Sequence, residues 1–245
     1  SLYAIIWAPD APRTTLIDWP IQKDLAVRAH LALEKHVGRR LPVRMKLEKR
    51  IPVGGGLGGG SSNAAAMLRG IVELFDLELS HADLVEIARS LGSDVPFLLR
   101  GGSAIVEGLG ERLEHHDHLP DVHAVLAFPA AACPTGAIYG KFDMMRPDAA
   151  LQSSRVRALA ATAPLAHDAP FNDLAAPAIA VEPVLEDEIA EIEAATGRTV
   201  HVSGSGSTLF VLCGRAFHDA LNSRIESGWK TIKIPNDNRK NDSHR

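Results

Sequence analysis

The sequence is poor in cysteine, with two in 245 residues, and poor in aromatics, at 5%. Cys133 and Cys213 lie far apart and form no C-x-x-C pair, so neither a cysteine-based zinc site nor a disulfide framework is indicated. Two buried thiols are expected instead. No apolar stretch approaches the ~18 residues that a membrane span requires. The first residues also lack the charged, apolar and small-residue succession of a signal peptide, and the chain reads as cytoplasmic. A formal charge of −4 provides no field for nucleic acid or an anionic membrane, so any phosphate binding must be local. The remaining composition, 46% hydrophobic and 23% charged, is that of a globular protein long enough for two lobes.

Against this plain background stands "RIPVGGGLGGGSSNAAAMLRG", Arg50 to Gly70, with six glycines in the seven positions Gly54 to Gly60. Before it, Pro42 to Ile51 alternates: Val43, Met45 and Leu47 share one face and Arg44, Lys46, Glu48 and Arg50 the other, with Lys49 the odd residue on the apolar side. After it, Ala66, Met67, Gly70, Ile71, Leu74 and Phe75 recur at helical spacing. This predicts a helix to about Asp76, with Ser61 or Ser62 as N-cap. The glycines therefore join a strand to a helix. Bare backbone lets N–H groups turn toward a ligand, and the helix adds unpaired N–H groups and the positive end of its dipole, which together make an anion site. Ser61, Ser62 and Asn63 add side-chain donors, and a serine hydroxyl there can meet a Mg²⁺ carried by phosphates.

Other readings fit less well. A Gly-Ser linker does not sit abruptly between an amphipathic strand and a capped helix. A P-loop needs G-x-x-x-x-G-K-[ST], and no lysine occurs between Arg50 and Gly70. A dinucleotide fingerprint matches formally at Gly54, Gly56 and Gly59, with Asp76 downstream. Its strand should be apolar on both faces, however, and this one is half charged.

Elsewhere, Leu2 to Ala8 reads as a strand and Gln22 to Val37 as a helix stopped by Gly38. A second helix runs from Ser80, where S-x-x-D resembles a capping box, to Leu91, with Gly92 as its stop. "SDVPF", Ser93 to Phe97, carries a proline that bars helix continuation, and a strand pair is expected around Gly101 to Gly110. A strand over Val122 to Phe128 follows, then a region of low information through about Pro183. The last part reads as helix (Val184 to Ala195), strand (Thr199 to Ser203), turn (Gly204 to Gly206), strand (Thr208 to Cys213), helix (Ala216 to Ser227) and strand (Lys230 to Ile234). The lobes divide at Asp121: an N-terminal lobe over 1–121, a C-terminal lobe over 122–234 with helices on one face of an antiparallel sheet, and a polar, disordered tail over 235–245.

The segment Pro52 to Ala65, P-x-G-G-G-L-G-G-G-S-S-N-A-A, resembles the ATP-binding loop of the GHMP-superfamily small-molecule kinases. "LGSDVPF" (Leu91 to Phe97), "FNDL" (Phe171 to Leu174) and "VSGSGSTLF" (Val202 to Phe210) follow in that family's order, and the branch acting on CDP-methylerythritol is the most similar. The resemblance runs from about Asp24 to Cys213. It implies a two-lobed α/β (α+β) GHMP kinase fold, with an N-lobe like domain 2 of ribosomal protein S5 and a ferredoxin-like C-lobe. It also implies ATP and Mg²⁺ as cofactors. The nucleotide would be held by Pro52, Val53, Gly54, Gly55, Gly56, Leu57, Gly58, Gly59, Gly60, Ser61, Ser62 and Asn63. Asp94 would be the catalytic base or hydroxyl-orienting residue. Gly204, Ser205, Gly206 and Asn172 would serve the substrate, with Thr135 and Tyr139 nearby. The implied partner is a small molecule, bound by a monomer or homodimer.

The family's opening strand, A-K-[IL]-N-L, and its later G-Y-H segment find no match in "SLYAIIWAPDAP". Lys23, Lys46 and Lys49 lie in other elements and do not replace that lysine. The family's N-terminal segment is therefore expected to be missing, and a non-catalytic or truncated nucleotide-binding relative is the alternative, as is a kinase for another small alcohol. "EHHDH", Glu114 to His118, lacks metal-ligand spacing and reads as a solvated loop, with no metal site assigned. Trp7, Trp19 and Trp229 read as core or lobe-edge residues.

Overall fold

The computed structural model describes residues 1–116, 123–146, 148, 152–162, 165–214 and 229–232. It opens with β1 (Leu2–Trp7), which pairs in parallel with β2 (Arg44–Lys49), Leu2 opposite Arg44 and Trp7 opposite Lys49. Parallel neighbours need a crossover, and α1 (Leu25–Val37) supplies it. The helix begins later than the periodicity predicts because Asp24 is its N-cap, accepting a hydrogen bond from the Ala26 N–H at 3.0 Å. Residues Ile21–Lys23 form a separate 3-10 turn, and Gly38 ends the helix as expected.

The glycine run enters α2 (Gly59–Leu74) earlier than the sequence indicates, because the N-cap is Gly58 and not Ser61 or Ser62. Gly58 adopts a left-handed conformation, φ 65°, that costs glycine little. That lets the chain turn into the helix while still inside the run, so Gly59 and Gly60 become its first turn. The capping box of α3 (His81–Leu91) forms as read: Ser80 Oγ accepts from the Asp83 N–H, and Asp83 accepts from the Ser80 N–H. A short helix, α4 (Val95–Arg100), follows where Pro96 was expected to bar one. Proline is tolerated in a first turn, where its missing N–H would have no intrahelical acceptor, so here it starts the helix.

The hairpin β3 (Ser103–Glu107) and β4 (Arg112–His116) is antiparallel, and its second strand lies beyond Gly110. Glu114 to His116 therefore belong to a strand rather than to a loop. Asp117, His118 and the expected boundary at Asp121 lie outside the described residues. A four-stranded antiparallel sheet follows in the order β6 (His201–Val202), β7 (Leu209–Cys213), β5 (His123–Ala127), β8 (Trp229–Ile232). The region of low information contains α5 (Thr135–Met145), α6 (Ser153–Ala160) and α7 (Ala175–Val181), and α8 (Val184–Thr196) follows with Gly197 as its C-cap. The first three leave little periodic trace because α5 buries only Ile138, α6 buries nothing, and α7 buries only Pro177 and Ala178. The expected helix Ala216 to Ser227 and the tail lie outside the described residues.

Buried residues form two clusters. One joins α1 to α4 through Leu33, Leu41, Leu68, Ile71, Ala88, Val95 and Leu99. The other joins the four-stranded sheet to α5, α7 and α8 through Ile138, Ala178, Leu185, Ile192, Leu209 and Val211. Both cysteines are buried, and burial pushes both thiols above their usual range. Among the described residues no helix is long and apolar enough to cross a membrane.

Leu68 is fully buried at the centre of the first cluster. Leu68→Ala should destabilise the protein by about 2–5 kcal/mol in denaturant titration. A loss below about 1 kcal/mol would contradict this packing.

Candidate active site

A cleft of about 1070 Å³ collects the glycine run from Pro52 to Ser61, Asn63, Asp94, Gly204 and Ser205. The segments that the sequence marked far apart thus share one wall-to-wall space. The run is shaped by direct contact with the turn after β6. Gly56, at φ 70°, lies so close to the Ser203 carbonyl that a Cβ would overlap it, and that Cβ would also fall 2.9 Å from the Gly206 oxygen. Ser203 Oγ donates to the Gly56 carbonyl at 3.0 Å, and the Thr208 N–H donates to the Gly55 carbonyl at 3.3 Å. At the end of the run, α2 begins with no side-chain cap and no acidic residue in its first turn. Its leading N–H groups and positive dipole end are therefore open to an anion.

Asp94 stands at the N-cap position of α4, exposed, and its side chain makes no capping bond. A helix-starting aspartate would ordinarily cap, so the carboxylate is left for the cleft. Its distance from the glycine run is set by packing of α2 on α4, through Leu68, Val95 and Leu99. One wall thus offers N–H donors, and a carboxylate lines the same space. This is the pairing that positions phosphates while accepting a proton from an attacking hydroxyl.

Not every sequence candidate reaches the cleft. Ser62 donates its hydroxyl to the Gly59 carbonyl at 2.9 Å. Asn172 directs its amide to the carbonyls of Val202 (2.9 Å) and Gly204 (2.7 Å) and accepts from the Leu174 N–H. Neither residue lines the space, nor does Gly206. Thr135 and Tyr139 of α5 do, and Thr135 Oγ1 lies 3.2 Å from Ser205 Oγ.

The cleft also holds residues that sequence reasoning assigned elsewhere. Lys49 Nζ lies 3.3 Å from Asp24 Oδ2, the two side chains being 8% and 4% exposed, and it stands 5.6 Å from the centroid of the Trp19 ring. All three line the space, as do Lys23 and Leu109. The signal was present in Lys49, a lysine on the apolar face of β2. A charge at such a place requires a partner, which the helix cap Asp24 provides. Among the described residues no group of three or more His, Cys, Asp or Glu could hold a metal ion.

The description "GHMP kinases N terminal domain" matches residues 24–102. The 4-diphosphocytidyl-2-C-methyl-D-erythritol kinase of Caulobacter vibrioides (strain NA1000 / CB15N) is 37% identical over 211 residues, covering 83% of this chain and 73% of its own. That of Exiguobacterium sibiricum is 38% identical over 212 residues, covering 85% and 72%. A crystal structure of 4-(cytidine 5'-diphospho)-2C-methyl-D-erythritol kinase superposes with a TM-score of 0.70 at 32% identity, covering 96% of this chain and 83% of that one. Homoserine kinase from Cytophaga hutchinsonii shares the fold, with a TM-score of 0.61 at 17% identity.

Asp24→Asn keeps an N-cap but leaves the Lys49 charge buried without its partner. It should cost about 3–5 kcal/mol in denaturant titration, with part recovered in Asp24→Asn/Lys49→Met. An unchanged midpoint in the single variant would show that the pair is not formed. Gly56→Ala should weaken ATP binding by about tenfold or more, since displacement of the loop forfeits at least one charge-assisted hydrogen bond of ~1.5–3 kcal/mol. Calorimetric titration with ATP measures this, and wild-type affinity would refute the close contact.

Proposed function

The chain belongs to the GHMP kinases and, within them, to the family of 4-diphosphocytidyl-2-C-methyl-D-erythritol kinases, and on that premise we propose a specific working of its cleft. The protein phosphorylates a hydroxyl of CDP-methylerythritol with ATP as donor, in non-mevalonate isoprenoid precursor biosynthesis. The observation that carries the reading is that the uncapped N-terminus of α2 and the uncommitted carboxylate of Asp94 line one cleft.

The phosphates of ATP lie along Gly54 to Ser61, where backbone N–H groups and the helix dipole hold their charge in place. A Mg²⁺ accompanying them suits the Ser61 hydroxyl, an oxygen donor that lines the same space. This ion keeps several waters and needs few protein ligands. Bound there, it would neutralise charge on the phosphate oxygens. Asp94 orients the acceptor hydroxyl and takes its proton as the oxygen bonds to the γ-phosphorus. The bond from that phosphorus to the bridging oxygen breaks, and ADP leaves. Thr135, Tyr139, Gly204 and Ser205 line the part of the cleft left for the acceptor. The buried Lys49 and Asp24 side chains pair with each other, so together they bring no net charge to the cleft.

An ATP-consumption assay with CDP-methylerythritol tests the reading. Turnover dependent on both substrates is expected, and ATP binding without turnover would identify a nucleotide-binding relative instead. Asp94→Asn should lower kcat by about 10² to 10⁴-fold, the usual contribution of a positioned general base, with little change in ATP affinity. Unchanged kcat would remove Asp94 from the mechanism.

A further inference from the structure

We propose that Ser203 is a positioning residue for the phosphate loop, holding it from the opposite lobe, and that Asn172 acts behind it by fixing the turn that carries Ser203. The inference rests on the kinase reading and extends it to a residue that does not line the cleft.

The contact between loop and turn has three components. Ser203 Oγ donates to the Gly56 carbonyl, the Thr208 N–H donates to the Gly55 carbonyl, and the backbones of Gly56 and Ser203 meet with no room for a side chain. The two bonds take up the carbonyls of Gly55 and Gly56 from the C-lobe side. A carbonyl engaged on that side does not point at the nucleotide. This matters because a carbonyl oxygen turned toward a phosphate is repulsive, whereas an N–H is attractive. Each glycine in the run is free to swing its peptide plane, so the loop needs an outside agent to select the attractive arrangement. Ser62 of α2 donates to the Gly59 carbonyl from within the helix that the run begins, whereas Ser203 donates to the run from the far side of the fold.

The turn that presents Ser203 is itself restrained. The Ser203 N–H donates to the Thr208 carbonyl at 2.9 Å, and the Gly206 N–H donates to the Ser203 carbonyl at 2.8 Å. Asn172 closes the other side by donating to both Val202 and Gly204, the residues flanking Ser203. Its remaining acceptor takes the Leu174 N–H, which fixes the amide at the start of α7. Force applied to the loop is therefore resisted by β6, β7 and α7 together. The hydroxyl of Ser205, on the same turn, meets Thr135 of α5, so the acceptor side of the cleft leans on the same support.

The experiment measures ATP affinity directly by calorimetric titration, in the absence of any acceptor, for the full chain and for Ser203→Ala, Ser203→Thr and Asn172→Ala. Thermal unfolding of each variant is recorded in parallel. Loss of one hydrogen bond that orients the loop should weaken ATP about 3- to 10-fold in Ser203→Ala, the equivalent of ~0.7–1.4 kcal/mol. Ser203→Thr, which keeps the hydroxyl, should return to within about twofold of wild type. Asn172→Ala should weaken ATP in the same direction. In steady state the Ser203→Ala deficit should fall on KM for ATP more than on kcat, because the acceptor and Asp94 are untouched. Wild-type ATP affinity in Ser203→Ala overturns the inference, as does a deficit that Ser203→Thr does not restore. Failure of the wild-type chain to bind ATP overturns the kinase reading beneath it.

Discussion

At Gly56 and Ser203 two backbones touch with no side chain between them, and much of the remaining site takes its shape from that contact. The contact brings the glycine run, which belongs to the α-helical cluster, against a turn of the antiparallel sheet. It sets Gly56 and Gly204 side by side on the lining of the cleft that the start of α2 also lines. A larger residue at Gly56 would separate the two surfaces and with them the two groups of site residues. The hydrogen bonds across the contact fix the direction of the loop carbonyls, so shape and polarity are decided together.

A second link between the two parts of the molecule lies on the outside. Arg157 of α6 donates to Glu114 of β4 at 2.6 Å and pairs with Glu107 of β3 at 3.7 Å, and its hydrogen bond holds the Glu114 carboxyl below the usual carboxylate range. These groups are well exposed, so the bridge orients more than it stabilises. Arg13 reaches from the segment after β1 to the Pro129 carbonyl and forms a third crossing. The two parts thus meet at one backbone contact beside the cleft and at two side-chain crossings whose residues do not line it.

Local chemistry was legible wherever a residue type had one physical use. The capping box at Ser80 and Asp83, the glycine stops at Gly38 and Gly197, and the strands around Ile5 and Val125 all follow from the chain near them. Local chemistry is ambiguous where two uses compete. Pro96 can end a helix or start one, and only its place relative to α4 decides which. Ser61 and Ser62 are good caps, yet the left-handed Gly58 begins α2 before either is reached. The helices α5, α6 and α7 escaped notice because they bury too few large residues to leave a periodic trace. Within its own strand Lys49 is an imperfection, and its meaning depends on Asp24, twenty-five positions earlier and across a crossover.

By itself the sequence determined that bare backbone runs into a helix N-terminus, an arrangement suited to a phosphate-sized anion. Six glycines between a half-charged strand and a helix have few other physical uses. The order of its four motifs likewise pointed to a two-lobed kinase. Only the tertiary structure decided which of the marked residues meet. It set Asp94 free of capping and beside the loop, turned Asn172 inward to support a turn, and placed Ser203 on the Gly56 carbonyl. The reason is range: a cap or a turn is settled within a few residues of chain, whereas a contact between positions 56 and 203 is settled by how two separate hydrophobic clusters come to rest against each other.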